Sequence, residues 1–135
     1  MDTSVLVSAL RSRRGTSHRL LRLIDSGKFE VCLSVPLLLE YEEVCKRLVR
    51  ETPLTEPDIE DILDYLCRVA HRQRVFYLWR PSLKDPADDM LLELAVAAGC
   101  EGIITWNVRD FQGADRFGVR VLTPKEFLQE IGELP

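Results

Sequence analysis

Acidic side chains stand in four separated parts of this chain: Asp2 near the start, Glu40 with Glu42 and Glu43 close behind it, the group Asp85, Asp88 and Asp89, and Asp110 just after Asn107. Taken singly, each reads as a helix cap or a solvated charge. Together they fall at expected strand ends and helix starts, and in open α/β sheets that is the side where ligands bind. Carboxylates gathered there repel by about 4 kcal/mol for a pair about 4 Å apart at an effective dielectric of about 20. A hard divalent cation such as Mg2+ or Mn2+ reverses that sign, lowers the pKa of a bound water and steadies charge on a phosphate oxygen.

Helical geometry ranks the acids. Leu37, Tyr41, Val44 and Leu48 form an apolar stripe; Glu40 flanks it, while Glu42 and Glu43 point toward water. Asp88 lies nearest the Leu91, Leu92 and Ala95 face, and Asp89 is expected on the surface, facing the helix dipole. Thr3, Ser4 and Thr105 carry hydroxyls able to orient ligands or waters, with capping an equal reading for Ser4. His18 and His71 have no spacing that pairs them and are read as surface residues.

Positioning these groups falls to short elements of alternating type. Helices are expected over Thr16 to Gly27, Pro36 to Arg50, Pro57 to Ala70 and about Ala87 to Ala98, the last apolar nearly all round and so buried; a final helix opens at Thr123-Pro124. Strands are expected at Phe29 to Ser34, Val75 to Leu78, Gly102 to Thr105 and Val119 to Leu122, with a turn at Lys84-Asp85-Pro86. Alternating strands and helices imply an α/β fold with a parallel sheet between helical layers.

The 135 residues suit one domain spanning 1–135, and ordinary globular composition excludes a disordered or low-complexity chain. With 18 Lys+Arg against 22 Asp+Glu the net charge is −4, so nucleic acid cannot be held by overall charge. A local patch remains: Arg11, Arg13, Arg14, Arg19 and Arg22 fall between Thr3 and Arg22 without an intervening acid. Of these Arg11, Arg13 and Arg14 are the expected phosphate contacts. The cysteines, Cys32, Cys45, Cys67 and Cys100, form no C-x-x-C pair and read as buried hydrophobes in a reducing cytoplasm. No apolar run is long enough to span a membrane.

The run Asp2-Thr3-Ser4-Val5-Leu6-Val7-Ser8-Ala9-Leu10 resembles the opening of PIN-domain ribonucleases, the toxins of many prokaryotic toxin-antitoxin pairs. The segments around Glu40, from Asp85 to Ala95 and from Ile103 to Phe111 follow in that family's order and approximate spacing. The resemblance implies a three-layer α/β/α sandwich around a central parallel sheet and a metal-dependent endoribonuclease. It implies catalytic roles for Asp2, Glu40, Asp88 and Asn107. The Mg2+ or Mn2+ ligands it implies are Asp2, Glu40 and Asp88, with Asp85 and Asp110 as accessory positions. RNA is the implied substrate, an antitoxin protein the implied partner, and a homodimer the common assembly. The family carries an apolar strand before its first Asp, whereas here only Met1 precedes Asp2, so the first strand is expected to be truncated. Asn107 stands where Asp is common, so a catalytically impaired domain that binds protein or RNA is the alternative. A receiver-type phosphoacceptor domain would need an acidic pair and a late Lys that this order does not supply.

Overall fold

The computed structural model describes residues 1–73, 83 and 85–135. Six helices occur among them: α1 (Thr3–Arg11), α2 (Thr16–Arg22), α3 (Val35–Leu48), α4 (Glu56–Val69), α5 (Pro86–Ala97) and α6 (Pro124–Glu130). Four short strands accompany them: β1 (Cys32–Leu33), β2 (His71–Arg72), β3 (Gly102–Ile104) and β4 (Arg120–Leu122).

Capping chemistry fixes most helix starts. The Ser34 hydroxyl accepts from the Leu37 N–H at the head of α3, and Thr55 with Asp58 and Thr123 with Glu126 close reciprocal capping boxes on α4 and α6. Proline follows each of these caps within the first helical turn, where its missing N–H costs no intrahelical bond. Helix α2 stops at Arg22, five residues short of the expected Gly27, because the chain bends through Leu23–Ser26 before Gly27 takes φ +84°. Helix α1 falls on a segment for which no helix is expected. Its signal is the spacing of Val5, Leu6 and Ala9, all buried.

The strands pair in parallel, β1 with β2 through Cys32 opposite His71, and β3 with β4 through Gly102 opposite Arg120. The mixed helix and strand content is that of an α/β protein. Where one central sheet is expected, the described residues give two separate two-stranded sheets. The expected Phe29 to Ser34 strand is confined to Cys32–Leu33, and β2 lies at His71–Arg72. The strand expected at Val75 to Leu78 and residue Lys84 lie outside the described residues. Of the expected first strand, Met1 and Asp2 are outside regular structure, and the Asp2 N–H donates to the Ile104 carbonyl at 2.8 Å. A cavity of about 620 Å³ runs between the two sheets, lined by Met1, Val31, Cys32, Gly102 and Ile103 among others.

One apolar core joins the elements, built on Leu6, Leu33, Leu37, Tyr41, Ile59, Leu66, Leu92, Ile103 and Phe111. A second cluster of Val5, Leu20 and Leu128 seats α6 on α1 and α2, with Phe29 edge-to-face on Phe127 at 4.9 Å. Helix α5 buries Leu91, Leu92, Leu94 and Ala95 but exposes Pro86, Val96 and Ala97, so it is buried on one side and not all round as expected. Cys45 is buried as expected, but Cys32, Cys67 and Cys100 are only half-buried, and the Cys100 thiol lies 2.6 Å from that of Cys32.

Candidate active site

Asp2 stands at the head of α1, in the N-cap position, yet its side chain makes no capping bond. Its Oδ2 instead accepts two hydroxyls: Ser4 at 2.8 Å and Thr105 at 2.5 Å. Thr105 is fully buried at the end of β3, so the sheet edge and the helix start are tied through one carboxylate oxygen. The Ser4 hydroxyl also accepts from the Trp106 N–H at 3.2 Å, and Thr105 Oγ1 from the Asn107 N–H at 2.9 Å. The Ser4 hydroxyl is thus bonded to the Asp2 carboxylate on one side and to the Trp106 backbone on the other.

Glu40 enters from α3. The Thr3 hydroxyl donates to its Oε2 at 2.9 Å across 37 residues of chain. Its pKa is raised, first by burial, which outweighs the opposing Thr3 hydrogen bond, and further by the charges of Asp2, Asp85 and Glu43. Glu42 and Glu43 pair with Lys46 and Arg47 one turn on, so they serve the outer side of α3. Next to Glu40, buried Tyr41 donates its hydroxyl to the Met1 carbonyl, fixing the backbone immediately before Asp2. In the sequence Tyr41 reads only as part of an apolar stripe, and nothing in its spacing reveals the polar end.

Asp88 lies in the first turn of α5, half-buried, with its pKa pushed up to about 6. Burial is the largest cause, followed by the charges of Asp2, Asp85, Asp110 and Glu40. Acids from four segments therefore act on this one carboxyl. Asp85, expected as an accessory ligand, caps α5 through the Ala87 N–H at 2.9 Å and is exposed. Asp89, expected on the surface, is half-buried, and its Oδ1 accepts from the Leu83 N–H at 3.0 Å. Asn107 and Asp110 sit exposed at the start of and within a 3-10 turn at Val108–Phe111.

Among the described residues, no three His, Cys, Asp or Glu side chains stand close enough together to cage a metal ion. The donors gathered around Asp2, Glu40 and Asp88 are nevertheless all oxygen, which is the chemistry of a hard cation and not of zinc. The expected phosphate contacts Arg11, Arg13 and Arg14 are all exposed, Arg13 and Arg14 between α1 and α2 and Arg11 at the end of α1, where it makes a surface pair with Glu51 at 2.7 Å. His71 is exposed on β2, and His18 is half-buried on α2.

Fold and site together define a mixed α/β domain in which hydroxyls bond two carboxylates, Asp2 at the head of α1 and Glu40 within α3, while Asp88 stands in the first turn of α5. Residues 1–109 match the PIN domain family, and the chain belongs to it; PIN domains are generally nucleases that use divalent metals. No curated protein and no solved structure matches the chain. The matched span contains Asp2, Glu40, Asp85, Asp88 and Asn107 and ends just before Asp110.

Proposed function

We propose that this protein is a Mg2+- or Mn2+-dependent endoribonuclease that hydrolyses RNA phosphodiester bonds, acting as the toxin of a toxin-antitoxin pair. The observation that supports the reading is the bonding of Thr3 to Glu40 and of Thr105 to Asp2, two acids from distant segments whose charges both act on Asp88. In this reading Asp2, Glu40 and Asp88 hold the ion, with Asn107 in support and Asp85 and Asp110 contributing charge. Ions of this kind keep several of their waters, so part of this acid set would hold the ion through bound water. When bound, the ion supplies an activated water and stabilises charge on the scissile phosphate.

The chain's own residues do the rest. Ser4 and Thr105 hold one Asp2 oxygen and leave the other available, and Thr3 keeps the Glu40 carboxylate turned toward the same region. Arg13 and Arg14 offer charge for the flanking phosphates. The reading extends to one domain over 1–135 with its parallel strand pairs in a single three-layer sandwich, an antitoxin segment covering the cleft, dimerisation, and a cytoplasmic setting. No helix among the described residues is long and apolar enough to cross a membrane.

The test is cleavage of a fluorescently labelled single-stranded RNA in Mn2+ and in EDTA, beside Asp88→Asn. Cleavage only with metal, lost in the variant, is expected. RNA binding without cleavage under any metal would favour the impaired-domain alternative, to which Asn107 in an acidic position belongs.

A further inference from the structure

Trp106 is a large aromatic side chain left 41% exposed, directly between Thr105, which holds Asp2, and Asn107. Its indole is fixed despite that exposure. The Nε1–H donates at 2.7 Å to the hydroxyl of Ser17, itself 1% exposed in the first turn of α2, and the Trp106 backbone N–H donates to Ser4. One edge of the ring is thus bolted to α2 and its backbone to the hydroxyl that orients Asp2. Neither Trp106 nor Ser17 stands out in the sequence, and no spacing rule links residues 89 positions apart.

An exposed apolar ring carries a hydration cost that a merely structural anchor would avoid by burial. Its polar edge is already satisfied, so what it offers a ligand is a flat face with little conformational freedom left to lose. Nucleobases stack on such faces without sequence preference, for about 1–3 kcal/mol per base. Resting on the endoribonuclease reading, we propose that Trp106 is the stacking platform for a nucleobase next to the scissile phosphate of single-stranded RNA, held at its working angle by Ser17. The platform is near the acids, because Trp106 follows Thr105 in the chain and its N–H bonds Ser4, and both of those hydroxyls bond Asp2.

The experiment uses the full chain in a Trp79→Phe background, which leaves Trp106 as the sole tryptophan, with 2′-O-methyl oligonucleotides that cannot be cleaved. Indole fluorescence is expected to be quenched by an oligonucleotide carrying bases and not by an abasic one of equal charge. In the chain that retains Trp79, Trp106→Ala should weaken binding of the base-bearing oligonucleotide about tenfold, and Trp106→Phe should restore most of it. Ser17→Ala, which frees the ring without removing it, should give an intermediate loss confined to base-bearing oligonucleotides. Unchanged affinity in Trp106→Ala, with wild-type melting and metal-dependent RNA cleavage intact, overturns the platform alone and leaves the ring to a protein partner. Absence of both RNA binding and RNA cleavage in the wild type overturns the endoribonuclease reading and the platform with it.

Discussion

Thr105 donates its hydroxyl to Asp2 Oδ2 at 2.5 Å, joining residues 103 positions apart in the sequence. The bond spends the only side-chain donor of a fully buried threonine on a single carboxylate oxygen, so it fixes the direction in which Asp2 offers its other oxygen. Groups that orient a metal ligand in this way typically matter by about 10–100-fold in affinity or activity when removed.

Thr105→Val keeps the volume and deletes the hydroxyl. We predict roughly 10–100-fold weaker Mn2+ binding with the fold retained, read by calorimetric titration beside a circular dichroism melt. Wild-type affinity in a folded variant would show that Asp2 does not depend on this bond.

Asp88 yields a stability prediction of opposite sign to its catalytic one. Its folded-state pKa of about 6 lies above the ordinary 3.8, so the folded form binds the proton more tightly than the unfolded chain. Its contribution is therefore most favourable below the unfolded pKa and is lost as pH rises through about 4 to 6. In EDTA at pH 7, Asp88→Asn should melt roughly 2–5 °C higher than wild type while losing metal-dependent cleavage. The difference should shrink at pH 4.5. A variant less stable than wild type at pH 7 would mean that the Asp88 charge is already compensated.

The arginines divide by their partners. Replacing Arg13 and Arg14 with Glu should weaken binding of single-stranded RNA and lower its salt slope by about 0.7 for each phosphate no longer neutralised. Arg11→Ala should change binding much less, because Glu51 already occupies that guanidinium. Filter binding at several salt concentrations separates the two, and an unchanged slope in the double variant would make the patch a solvated face.

Thr55 serves as a control remote from these acids. Its capping box on α4 predicts that Thr55→Ala costs about 1 kcal/mol in urea unfolding without altering RNA cleavage. Loss of cleavage at full stability would tie α4 to the reaction.

The readable part of this molecule is what local chemistry dictates. Thr123-Pro124 announces α6, Leu37, Tyr41 and Leu48 announce α3, and the flank position of Glu40 follows from helical periodicity. Two kinds of feature are not legible in that way. Helix α1 is hidden because the consecutive apolar run Val5-Leu6-Val7, rich in β-branched residues, suits a short strand as well as a helix, and only the spacing of Val5, Leu6 and Ala9 marks a buried helical face. The pairings Thr3–Glu40, Tyr41–Met1 and Trp106–Ser17 depend on tertiary distance, which side-chain type and spacing do not encode. Asp89 shows the same limit, since its surface assignment fails on a backbone N–H from Leu83 that no helical wheel includes.

The central claim is that Asp2, Glu40 and Asp88 together hold a divalent ion. Its most direct test is Mn2+ binding followed by electron paramagnetic resonance in the wild type and in Asp2→Asn, Glu40→Gln and Asp88→Asn, each checked for folding by its melt. The account predicts a saturable site in the wild type that weakens by about tenfold or more in every variant. Equal Mn2+ affinity in wild type and in folded Asp88→Asn would contradict it.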